Sequence, residues 1–114
     1  MRTVLAGLFL ALGSAAVLAQ QPAPPAPNFA APDLSPKGVR SMAAACAMCH
    51  GTNGKPAAGS AVAGLAGRPS AEIVQGMAQF KAGTKPATIM HQISRGYSDA
   101  EVAALADYFS KQPR

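Results

Sequence analysis

The chain of 114 residues contains two cysteines, and they stand three positions apart in Cys46-Ala47-Met48-Cys49-His50. Two thiols one helical turn apart, followed at once by an imidazole, form the C-x-x-C-H attachment signature of c-type haem. The spacing has a physical purpose. Each thiol can form a thioether with one haem vinyl group, and the next residue then sits beneath the iron as an axial ligand. On that chemistry Cys46 and Cys49 are the covalent attachment points and His50 is an iron ligand.

Three other chemistries use the same residues. A structural disulfide between Cys46 and Cys49 would leave His50 without a task. A thioredoxin-like redox pair would need a βαβ pattern, which is missing from the sequence. A Cys2His2 zinc site could be drawn from Cys46, Cys49, His50 and His91. It would require adjacent Cys49 and His50 to reach one tetrahedral ion, a spacing zinc sites do not usually adopt.

Haem iron accepts a second axial side chain, and a thioether or another imidazole can supply it. The candidates are Met42, Met48, Met77, Met90 and His91. Met48 is inside the attachment loop, on the wrong side of the ring. Met42 and Met77 fall on apolar helical stripes, where methionine usually fills core. Met90 is in the segment from Thr84 to Gly96, expected to be a loop able to bring a side chain to the face opposite His50. Met90 is favoured, with His91 its rival and otherwise expected to be solvent-exposed.

Helical elements must position these groups. The first is expected over Pro36 to Cys46, with Pro36 in the opening turn and Val39, Met42, Ala43 and Cys46 at i, i+3, i+4, i+7 spacing. The second follows Arg68-Pro69-Ser70, with Ser70 as its cap, Glu72 in its first turn and Gly83 as its stop. Its apolar stripe is Ile73, Val74, Met77 and Phe80. The third opens on Ser98-Asp99-Ala100-Glu101, a capping box flanked by Tyr97 and Val102 at the staple positions. Val102, Leu105, Ala106 and Phe109 share one face. The loop from Gly51 to Gly67 is long enough to require something to wrap around. The expected fold class is all-α, with no internal repeat.

The first 36 residues stand apart from that unit. Met1-Arg2 gives a positive start, positions 4–12 are apolar, and Val17-Leu18-Ala19 offers a cleavage site, the layout of a secretory signal peptide. The apolar run from Val4 to Ala19 is 16 residues, interrupted by Gly7, Gly13 and Ser14, against about 20 for a membrane span. Residues 1–19 are therefore expected to be removed on export, leaving no stable membrane span. A retained anchor is the competing view. Residues 20–36 hold six of the ten prolines and form a Pro/Ala-rich linker, leaving 37–114 as the domain. Periplasmic localisation follows from the leader.

After the leader, nine Lys or Arg face five Asp or Glu, and the positive residues are dispersed. They do not interleave with aromatics, which argues against nucleic-acid binding. A modest basic surface would suit steering toward an acidic protein partner. Alanine accounts for 26 of all residues, and residues 37–114 hold only 17 Val, Ile, Leu, Met, Phe or Tyr. Such a thin core calls for a staple, metal or cofactor. A covalently held macrocycle would meet that shortage.

Residues 37–114 resemble a class I cytochrome c of the small bacterial type. The resemblance rests on Cys46 to Gly51, Leu65-Ala66-Gly67-Arg68-Pro69, Met90, and the terminal Ala106-Asp107-Tyr108-Phe109 helix. The phrase from Thr88 to Ser98 is similar to the cytochrome subunit of flavocytochrome c sulfide dehydrogenases and to c4-type cytochromes. The resemblance implies three main helices around one haem c, the first and last crossing beside it, Met90 as axial thioether and Phe80 packed near the ring. It further implies single-electron transfer rather than catalysis, either as the haem subunit served by a flavoprotein sulfide dehydrogenase or as a freely diffusing shuttle. A small zinc or disulfide-stabilised binding module is the alternative of another class. Relatives often carry a proline two positions before Leu-Ala-Gly, its carbonyl orienting the haem histidine. Here that position is Ala63, on a less constrained loop.

Overall fold

The computed structural model of the protein describes residues 31–114. The expected signal peptide, and the linker as far as residue 30, lie outside the described residues. Four α-helices and one 3₁₀ turn follow, with no strand among the described residues. The all-α expectation holds, with one helix more than the sequence suggested.

Helix α1 spans Pro36–His50. Ser35 caps it, its Oγ accepting from the Gly38 amide at 3.2 Å, and Pro36 occupies the first position, where its missing N–H costs nothing. The helix continues four residues past Cys46, so both cysteines and His50 ride on one rigid element.

Helix α2 spans Ser70–Ala82. Ser70 is not its cap, contrary to expectation: Pro69 holds that position and Ser70 is the first helical residue. The Pro69 carbonyl, rather than a hydroxyl, takes the amides of Glu72 and Ile73 at 3.0 and 3.3 Å. Proline biases Arg68 away from helical geometry, so the helix can start no earlier. Gly83 ends it as expected, in the left-handed conformation (φ 73°) that a side chain would strain.

Helix α3, Met90–Arg95, falls where a loop was expected. Six residues are too few to show a periodic stripe. Helix α4 spans Asp99–Ser110 and begins in the expected capping box. The Ser98 amide donates to Glu101 Oε2 at 2.7 Å, and the Glu101 amide donates to Ser98 Oγ at 3.3 Å. Tyr97 packs against the core and Val102 is buried, as a hydrophobic staple requires.

The core joins Ala43 of α1, Ile73 of α2, and Leu105, Ala106 and Phe109 of α4. Helix α4 packs against both α1 and α2, and α2 also packs against α3. Val74, placed on the apolar stripe of α2, is 38% exposed, because it lies one position round from buried Ile73.

The segment from Gly51 to Gly67 is tied down on α4. Its 3₁₀ turn, Thr52–Gly54, brings the Gly54 carbonyl under the Leu65 and Ala66 amides at 2.7 and 3.0 Å. Gly54 is required twice over: its φ is 81°, and a Cβ there would come within 2.8 Å of Phe109 Cδ1. The Gly67 amide donates to the Phe109 carbonyl at 3.0 Å, and Tyr108 Oη donates to Asn53 Oδ1 at 3.1 Å.

Candidate haem site

The last turn of α1 carries Cys46, Cys49 and His50. Both cysteines are free thiols, Cys46 half-buried and Cys49 exposed. Cys46 packs against the core cluster, and that burial pushes its thiol above the usual cysteine value. The free thiol is therefore neutral at neutral pH.

His50 is oriented from across the loop. Its Nδ1–H donates to the Ala63 carbonyl at 2.7 Å. A carbonyl only accepts, so Nδ1 carries the proton and, in the neutral ring, Nε2 keeps its lone pair. The less constrained loop at Ala63 thus still delivers the orienting carbonyl. Two free thiols one turn apart and an imidazole with its Nε2 lone pair uncommitted are the donor set of covalent haem c, and the residues present fit that group.

The methionines sort by surroundings. Met42 packs against the core, whereas Met48 is 87% exposed between the two cysteines. Met77 is half-buried on α2, and Met90 is half-buried as the first residue of α3. His91, expected in solvent, is instead half-buried. Its Nε2–H donates to the Lys85 carbonyl at 2.7 Å, which commits that nitrogen to the backbone. Phe80 meets the His91 ring edge to face, centroids 6.3 Å apart, and Lys85 Nζ stands 5.0 Å from the Phe80 ring centre. This cluster was not foreseen. Its only sequence trace is a His six residues after a Lys across Pro86, a weak pattern by itself.

The competing chemistries find no support in the geometry. No disulfide joins the cysteines, and no βαβ unit occurs among the described residues. Among those residues, no three of His, Cys, Asp and Glu gather closely enough to hold a metal ion, which removes the proposed zinc set. No described helix is long and apolar enough to cross a membrane. The hollow of about 640 Å³ on the surface is bordered by Lys37, Arg40, Tyr108 and Lys111 among others, and includes none of Cys46, Cys49 or His50.

Comparison with known proteins adds two findings. The family model described as cytochrome c matches residues 35–112. The chain is also 31% identical over 68 residues to the cytochrome subunit of sulfide dehydrogenase from Chlorobaculum tepidum. That match covers 60% of this chain and 60% of the relative, so the chain spans about three-fifths of that protein's length.

Proposed function

The chain belongs to the cytochrome c family, as a single-haem electron-transfer protein, and from that premise we propose that Cys46 and Cys49 hold the haem as thioethers while His50 and Met90 are its axial ligands. The haem iron supplies a one-electron couple between its ferric and ferrous states. The protein supplies orientation, exclusion of other ligands and a surface for a redox partner. The His50 bond to Ala63 carries this reading, because it fixes the ring and presents Nε2 rather than Nδ1.

Support for Met90 comes from what its rivals are doing. Met42 packs against the core, Met48 is exposed between the cysteines, and the bond to the Lys85 carbonyl takes the Nε2 of His91, leaving that ring its Nδ1 alone. With His50 and Met90 both holding the iron, these side chains would exclude a substrate from it. The chain then carries electrons for another protein's catalysis. Phe80 would pack near the ring, consistent with its half-buried place beside His91.

The similarity to the cytochrome subunit of sulfide dehydrogenase favours a flavoprotein of that type as the electron donor. The apolar leader before Gln20 favours export to the periplasm, with cleavage after about Ala19. Mass spectrometry of the periplasmic protein should give the processed polypeptide plus one haem. An unmodified mass with two titratable thiols overturns the attachment reading. Co-purification from the native host with a flavin-containing protein supports the subunit role, and a lone monomer assigns the free shuttle instead.

A further inference from the structure

We propose that His91 is a positioning residue for Met90, closing the loop that presents this ligand; the proposal rests on the Met90 reading above. Beyond Gly83, the backbone as far as Lys85 is tied back to the last turn of α2. The amides of Thr84 and Lys85 donate to the Gln79 carbonyl at 3.0 and 3.4 Å, and Thr84 Oγ1 reaches the same oxygen at 3.3 Å. Beyond Lys85 that anchoring stops. Pro86 has no amide to donate, and Ile89 is 57% exposed. The His91 Nε2–H bond to the Lys85 carbonyl, 2.7 Å, spans this interval and fastens the first turn of α3 to the end of α2.

The imidazole is fixed on more than one side. Phe80 stands edge to face against it at an interplanar angle of 72°, and fully buried Ser94 donates to the His91 carbonyl at 3.3 Å. With the ring and the backbone of His91 both held, the neighbouring Met90 has its backbone position set. Met90 then avoids part of the ordering entropy that a mobile loop would lose each time its thioether bound the iron.

An incoming ligand competes with Met90 for ferric iron, so its apparent affinity reads how well Met90 is held. The test titrates the ferric holoprotein with imidazole and follows the methionine–iron charge-transfer band. His91→Leu should bind imidazole about fivefold more tightly, the size expected for one net hydrogen bond. His91→Gln places an amide N–H near the lost Nε2 and should restore most of the wild-type affinity. His91→Asn is too short to reach Lys85 and should behave like the leucine variant. If His91→Leu fails to take up haem, the Gln and Asn pair makes the same comparison. Lys81→Ala, which removes the 3.0 Å Lys81–Asp99 pair between α2 and α4, should leave imidazole affinity unchanged.

Wild-type imidazole affinity in both His91→Leu and His91→Asn overturns the positioning role. Met90→Ala separates the two claims. Loss of the band in that variant upholds Met90 as ligand whatever His91 does, whereas survival of the band overturns the Met90 assignment and this proposal with it.

Discussion

The imidazole of His50 and the carbonyl of Ala63 meet at 2.7 Å across 13 residues of chain. This one contact links the end of α1 to the far side of the loop that follows it. It sets the tautomer of His50 through the backbone, so residue 63 needs a carbonyl in the right place and no particular side chain. Alanine meets that need because the rest of the loop is already anchored, by Gly54 beneath Leu65 and Ala66 and by Gly67 on Phe109.

Proline at position 63 should therefore keep the contact and stiffen the loop. The Ala63 amide makes no hydrogen bond that proline would remove. Ala63→Pro is expected to stabilise the holoprotein by about 0.4–1 kcal/mol, by narrowing the unfolded ensemble. That corresponds to a rise of a few degrees in melting temperature. An unchanged haem spectrum with a higher Tm supports this account; a lower Tm would show that the backbone at 63 cannot adopt proline geometry.

Gly54 tests the packing between that loop and α4. Gly54→Ala meets Leu65 Cβ and Phe109 Cδ1, each 2.8 Å from the new carbon, at a φ of 81°. A left-handed residue costs about 1–2 kcal/mol and overpacking about 1–3 kcal/mol. The expected loss is at least about 2 kcal/mol by denaturant melting of the holoprotein. A change below about 0.5 kcal/mol, within the ordinary surface range, would mean that the loop moves aside freely.

Much of this arrangement was legible in the sequence because it is local. The C-x-x-C-H spacing, the Ser98 to Glu101 capping box and the Gly83 stop each depend on a few neighbouring residues, and each is found where expected. Helix α3 was not legible, since Met90 to Arg95 is too short to show a period. Ser70 misled because Pro69 outcompeted it for the cap. His91 was expected to be exposed once Met90 was preferred to it, and only the fold brings Phe80 and the Lys85 carbonyl to it. Contacts made by backbone carbonyls leave almost no trace in residue type.

The Tyr108 to Asn53 bond should be measurable as a pair. Asn53 is a non-glycine residue with positive φ (54°), which asparagine tolerates better than most. Tyr108→Phe is expected to cost about 0.5–1.5 kcal/mol. Asn53→Ala should cost more, since it loses the bond and strains the turn as well. A double-mutant cycle should show a coupling of about 0.5 kcal/mol or more; additive effects would remove the bond from the account of how the loop is held.

The capping box gives a pH dependence of definite sign. The Ser98 amide, then its hydroxyl, hold the Glu101 carboxyl below its ordinary value of 4.5, with Lys81 adding in the same direction. A lowered folded value means that the ionised form is favoured by folding. Its contribution is fully present above the ordinary value and is lost as pH falls through the lowered one. Glu101→Gln should flatten that part of the stability curve below about pH 4.5 while leaving neutral-pH spectra unchanged. An acid limb of the same slope in the variant would assign it to other carboxylates.

Removing the cofactor should be the most damaging change. The buried apolar residues among those described are Val39, Ala43, Ile73, Val102, Leu105, Ala106 and Phe109, and two of the seven are alanines that contribute little area. The five larger side chains make a small core for a domain this long, which calls for further apolar surface such as a cofactor supplies. Cys46→Ala with Cys49→Ala, prepared free of haem, is therefore expected to show little fixed tertiary structure, no cooperative thermal transition and rapid proteolysis. A cooperative, native-like melt of that apoprotein would instead show that the four helices and the Gly54 to Phe109 contact suffice to fold the chain, leaving the haem with a redox role alone.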